Sequence, residues 1–138
     1  MRFSLATNFD DALVEQVRPY PVRELFGKLS RDAAGGGRAS YQIVGIGRRR
    51  VRQHVELARR NGIGFNYLLN AACLDNIEFT RKGQKAIRAL LDWIGEIGCE
   101  SVTVGSPFLL RIVKERAPSL RTRVSVFAAV DHVRKAKM

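Results

Sequence analysis

The sequence predicts an α/β fold of parallel strands separated by helices. Two patterns and a size limit carry that expectation. Segments with apolar residues at every second position alternate with segments repeating every three to four, and Gly, Pro or a capping side chain marks each switch. The length of 138 residues, 46% of them hydrophobic, suffices for one core and one domain, 1–138, and is too short for a complete eight-stranded α/β barrel. The order reads β-α-β-loop-α-β-α-β-α-β-α, and strand–helix–strand crossovers of this kind are right-handed.

Residues 3–7 alternate as a strand and run into Asn8-Phe9-Asp10-Asp11, where a polar side chain caps a helix to about residue 17. Pro19 and Pro21 stop that helix, because proline lacks a backbone donor and disfavours helical geometry in the residue before it. Residues 22–26 then form a second strand. From 28 to 47 the glycines, above all Gly35-Gly36-Gly37 and the Gly45-Ile46-Gly47 pair, predict a loop of functional length. A helix over 48–61 follows, with Val51, His54, Val55 and Ala58 as its inward stripe and Gly62 as its stop. Residues 63–69 make a strand with Asn66 and Asn70 on one face and Phe65, Tyr67 and Leu69 on the other.

The clearest helix runs to residue 97, capped by Thr80, with Ile87, Leu90, Leu91 and Ile94 buried and Gly98 just past its end. Residues 101–104 form a strand, and Ser106 with Pro107 opens a helix to about residue 117. Residues 121–125 give a fifth strand, and 130–138 start another helix.

With 24 Lys and Arg against 13 Asp and Glu, the net charge is +11, and both halves share the excess. Such a field favours anionic partners, nucleic acid or another polyanion, without specifying a function. Two cysteines, Cys73 and Cys99, are too few for a disulfide framework and lack the spacing of a zinc site. A cytoplasmic location is expected, with no signal peptide, no membrane span and no metal.

Ligands of parallel α/β folds bind beyond the carboxyl ends of the strands, which singles out Asn8, Lys28, Asn70, Ser106 and Ser125. These side chains suit hydrogen bonding to an oxygen-rich ligand; Asn8, Asn70 and Ser106 serve equally well as helix caps. Arg38 behind the three glycines, and Arg49 and Arg52 within the run 48–52, are candidate anion ligands. The simpler reading of the same residues is a flexible loop and a solvated helix face, since no phosphate-loop spacing is present and no aromatic is interleaved with the arginines. Neither His54, on an apolar stripe, nor His132 stands in a catalytic pattern.

The strand ends, taken together, resemble those of the collagenase-like peptidase family. The likeness is carried by Phe3-Ser4-Leu5-Ala6-Thr7-Asn8, Glu24-Leu25-Phe26-Gly27-Lys28-Leu29, Gly35-Gly36-Gly37-Arg38, Phe65-Asn66-Tyr67-Leu68-Leu69-Asn70, Val102-Thr103-Val104-Gly105-Ser106-Pro107 and Val124-Ser125-Val126-Phe127. The family includes proteins called peptidases and others of oxygen-independent hydroxylation of ubiquinone precursors or RNA. The resemblance implies a TIM-type (β/α)₈ barrel of which this chain is the N-terminal part, supplying about five strands. It also implies a reactive centre completed elsewhere and an iron–sulfur cluster only in a full-length hydroxylating member, since Cys73 and Cys99 match none of its cysteines. Ser125-Val126-Phe127 stands where relatives have Ser-Thr-Gln, and Gly105-Ser106-Pro107 where an Asp-Pro-Gly-like turn is common, so no catalytic residue transfers. The alternative function is a non-enzymatic, basic nucleic-acid-binding module. A partner chain or oligomer is expected to cover the open sheet edge.

Overall fold

A computed structural model describes residues 2–37 and 45–137. Five strands, β1 (Phe3–Ala6), β2 (Val22–Gly27), β3 (Gly64–Leu69), β4 (Ser101–Val104) and β5 (Arg121–Val124), form one parallel sheet in sequential order. The helices α1 (Asp11–Val17), α2 (Arg48–Arg60), α3 (Arg81–Glu96) and α4 (Pro107–Arg116) connect them, and a short α5 (Val133–Ala136) follows β5. The α/β class, the strand order and the faces assigned to residues 63–70 agree with the sequence pattern. The described residues add two single 3-10 turns, Ile77–Phe79 and Val126–Ala128, that periodicity does not announce, because three residues carry no measurable repeat. Asp10, not Asn8, caps α1, accepting from the Ala12 amide at 3.0 Å.

Pleating sorts the strand residues onto two faces. Leu25, Phe65, Tyr67, Leu69, Val102 and Val104 point outward and are fully or almost fully buried beneath the helices. Against them pack Val51, Val55 and Ala58 of α2, Ile87, Leu91 and Ile94 of α3, and Leu109, Ile112 and Val113 of α4. The stripes of α2 and α3 are those that the helical periodicity marks out. The opposite face is largely polar: Ser4, Glu24, Asn66, Ser101, Thr103 and Arg123 alternate with the outward residues, joined by Phe26 and Leu68 toward the carboxyl ends of β2 and β3.

That polar face is concave. In a flat sheet β2 and β5 would lie about 14 Å apart, three strand spacings. Yet Arg123 on β5 forms a two-pronged ion pair with Glu24 on β2, its Nη2 at 2.9 Å from Oε2 and its Nη1 on Oε1, and Nη1 also donates to Ser4 on β1 at 3.3 Å. Ser4 donates to Glu24 Oε1 at 2.6 Å, and Ser101 closes the cluster at 3.5 Å. Glu24 is 1% exposed, so these donors are its whole environment. The sheet is curled as part of a (β/α) barrel that the five strands leave open.

A second polar cluster locks the first strand to the helix layer. Thr7 sits 2.8 Å from His54 Nε2, and His54 Nδ1 lies 3.0 Å from Asp11 Oδ1. The carboxylate can only accept, so Nδ1 carries the proton and Nε2 accepts from the Thr7 hydroxyl. Thr7 in turn accepts from the Phe9 amide at 2.9 Å, while Arg50 donates to Asp11 at 2.9 Å and to the Phe9 carbonyl. These bonds hold Phe9 at a φ of 64°, a left-handed conformation that bulky side chains rarely adopt.

Two outcomes follow from these clusters. Arg123→Met leaves the Glu24 carboxylate buried without its counter-ion and should destabilise the chain by about 3–5 kcal/mol in urea unfolding, whereas Arg123→Met combined with Glu24→Leu should recover most of that loss. The second outcome concerns pH. Burial holds the His54 imidazole below its ordinary value of 6.5, so the unfolded chain takes up a proton that the folded one resists. His54 therefore contributes stability that is complete above about pH 6.5 and declines as the pH falls, and His54→Gln should flatten unfolding free energies measured between about pH 7 and 5. Arg50, then His54, hold the Asp11 carboxyl below its ordinary value, so its contribution is lost only in the acid range beneath the His54 window.

Candidate functional site

The carboxyl ends of the strands open into a cleft of about 440 Å³ on the concave side, lined by Phe26, Gly37, Asn66, Leu68, Asn70, Thr103, Arg123 and Ser125, among others. Its floor is the hydrogen-bonded side of the sheet. Asn66 and Thr103 pair across neighbouring strands, with Nδ2 at 2.9 Å and Oδ1 at 3.1 Å from the Thr103 hydroxyl. Beside them the Glu24–Arg123 pair ends in a guanidinium side chain that remains 41% exposed to the cleft.

Asn70 joins three segments at the rim. Its Oδ1 accepts from the Gly37 amide at 3.2 Å, and its Nδ2 lies 3.5 Å from the Ser125 hydroxyl. The glycine run thereby meets the ends of β3 and β5. Gly105, at the end of β4, closes against the same place: a Cβ there would stand 2.7 Å from the Ala71 carbonyl oxygen and 3.1 Å from the Asn70 Cα. Backbone cannot swing aside as a side chain can, so this position requires glycine.

The glycine run rests on a buried anchor. Lys28 Nζ lies 3.1 Å from Asp32, with side-chain exposures of 5% and 2%, and the Tyr67 hydroxyl donates to the same Asp32 oxygen at 2.7 Å. The other Asp32 oxygen accepts from the Ala34 amide at 3.0 Å, and Tyr67 accepts from the Leu29 amide at 3.2 Å. Burial, reinforced by the Asp32 carboxylate, pushes the Tyr67 phenol far above its ordinary range and keeps it a donor. Gly36 passes so close that a Cβ would meet the Lys28 stem at 2.4 Å. At the far end of the segment Ser30 and Ile46 exchange two hydrogen bonds, of 2.8 and 3.0 Å, which draw its two limbs together.

The residues singled out from sequence thus separate. Asn70 and Ser125 come together at the rim, with Ser125 also accepting from the Phe127 amide at 3.3 Å. Lys28 is committed to Asp32 beneath the loop. Asn8 accepts from the Asp10 amide in a turn leading to α1, and Ser106 caps α4 through the Leu109 amide at 3.2 Å. Arg49 and Arg52 stand exposed on α2, on the outer layer, and Arg38 lies outside the described residues. Sequence reasoning passed over Glu24, Arg123 and Thr103. Thr103 and Arg123 carried the signal of a polar residue at every second position of β4 and β5, whereas Glu24 stands between Val22 and Phe26 on its face of β2 and carried no such pattern.

The described residues do not fit an iron–sulfur cluster. No three His, Cys, Asp or Glu side chains among them converge on one point. Cys73 is exposed after β3, whereas Cys99 is buried before β4, its thiol pushed up to about 12 by desolvation.

The fold recurs in a solved protein. The U32 peptidase Mk0906 superposes with a TM-score of 0.74 over 99% of this chain and 53% of its own, at 21% identity. The uncharacterized protease MJ1657 of Methanocaldococcus jannaschii is 30% identical over 84 residues, 61% of this chain and 25% of that protein. Over part of its sequence this chain is similar to a protein named as a protease, and over nearly all of its length it shares the fold of a U32 peptidase. It spans about a quarter of the curated relative and half of the solved one. No protein-family model matches it. Among the described residues no helix is long and apolar enough to cross a membrane.

If Asn70 ties the glycine run to the sheet, Asn70→Ala should raise amide hydrogen exchange at Gly37 by about tenfold, the equivalent of one lost hydrogen bond, while exchange in β3 stays unchanged.

Proposed function

We propose that this chain forms the substrate-holding strands of a peptidase-family barrel and that its concave cleft binds peptide in extended form. The observation that carries the reading is the pairing of Asn66 with Thr103 and of Asn70 with Gly37 and Ser125 in one cleft at the strand ends. Amides and hydroxyls both donate and accept, as a peptide group does, so they can satisfy a substrate backbone along its length. Phe26, Leu68 and Phe127 supply the apolar wall that a bound side chain needs.

Hydrolysis draws on groups outside the described cleft. Glu24 is neutralised by Arg123, and the Ser125 hydroxyl faces an amide rather than a base, so neither is set up as nucleophile or general base. The likeness to proteins named as peptidases supports peptide as the substrate class.

Fluorescently labelled gelatin and casein fragments should bind this chain with micromolar to millimolar affinity, measured by anisotropy. Asn70→Ala combined with Thr103→Val should weaken that binding about tenfold, the cost of one to two hydrogen bonds. Equal binding by the double variant, with its fold confirmed by circular dichroism, would remove the cleft from the substrate path.

A further inference from the structure

We propose that Arg31 and the first turns of α2 form a docking surface for the phosphate backbone of double-stranded nucleic acid. The surface shares no lining residue with the concave cleft and stands independently of the peptide reading. Arg48, Arg49 and Arg52 line one shallow cleft with Trp93 and Glu96, of about 390 Å³. Arg48 also lines a second, of about 360 Å³, with Arg31. Four guanidiniums are thereby gathered around two adjoining depressions.

Their charge is barely offset. Glu96 is the one carboxylate among the lining residues; it lies 3.9 Å from Arg52, and both side chains are more than half exposed, a separation and exposure at which pairing is weak. Among the described residues Arg31, Arg48 and Arg49 have no ion-pair partner. The contrast within the same helix is clear, since Arg50 is held by Asp11 and Arg60 by Glu56. Arg48 does find a partner of another kind: its guanidinium lies 5.1 Å over the centre of the Trp93 ring system.

The surroundings select the partner. Guanidinium forks match phosphate oxygens, and closely spaced arginines suit a polyphosphate better than a single anion. A single strand would call for an exposed ring on which bases stack, but Trp93 is 4% exposed. A lipid surface would call for apolar side chains able to insert, whereas of the two aliphatic residues lining the second depression Leu29 is 4% exposed and Ile46 is partly buried against the core.

The test is anisotropy of short labelled RNA and DNA duplexes with the whole chain at about 50 to 200 mM salt. Binding should weaken as salt rises, by a slope of about −0.9 per phosphate neutralised. Replacing Arg31, Arg49 and Arg52 by Ala together should reduce that slope by about 2 to 3 and cost tenfold or more in affinity at the lower salt. Circular dichroism checks the fold, and the corresponding Arg→Lys triple should keep most of the slope. Alanine at the exposed Lys82, Lys85 and Lys114 removes the same net charge elsewhere and should have much less effect. Equal losses from both alanine triples would overturn the proposal in favour of diffuse net charge. Absence of duplex binding at the lower salt would overturn it outright, as would arginine-dependent capture of phosphatidylglycerol vesicles in place of duplex.

Discussion

The ion pair between Glu24 and Arg123 is the constraint on which the rest depends. It is a chord across the inside of a curled sheet, joining β2 to β5 and, through Ser4, to β1. Burying a carboxylate is costly unless it is paired and hydrogen-bonded, and here two guanidinium nitrogens and two hydroxyls share that work. Because the cost is met only when the strands curve enough for Arg123 to arrive, the pair rewards one curvature of the sheet over flatter ones. The cleft exists on that account: uncurled, Asn66, Thr103, Asn70 and Ser125 would lie on an open polar surface.

Helices and sheet divide the work differently on the two faces. The outer face is held by apolar packing, tolerant in detail and strong in sum. The inner face is held by a few directional bonds, each of which fixes a geometry. At the rim a third arrangement operates, in which the buried Lys28–Asp32–Tyr67 group lies beneath a glycine run that then reaches Asn70. Gly36 against Lys28 and Gly105 against the residue 70–71 backbone show why small residues stand there: the segments approach one another more closely than a Cβ allows.

The two surfaces that emerge have different physics. The concave cleft presents neutral amides and hydroxyls beside an internally compensated ion pair, and so suits a ligand recognised by shape and hydrogen bonding. The α2 face presents uncompensated guanidiniums with little apolar relief, and so suits a charged polymer recognised at longer range. The separation allows one chain to hold a substrate in its barrel interior and a second, larger partner on its helix layer.

The sequence by itself determined the α/β class, the order of strands and helices, the buried stripes of α2 and α3 and the two faces of β3, because each is a local periodicity that pleat and helical pitch impose. It also determined the caps at Thr80 and Ser106, where one side chain serves an amide three residues away. Only the tertiary structure decided which polar residues meet. Glu24 and Arg123 are 99 positions apart, Asn66 and Thr103 are 37, and Asn70 reaches 33 positions back to Gly37 and 55 forward to Ser125. Lys28, a rim candidate by position, turned inward because Asp32 and Tyr67 offered its ammonium a buried counter-ion and a shared hydrogen-bond network. Pairings of that range are set by sheet curvature and register, which no local pattern encodes.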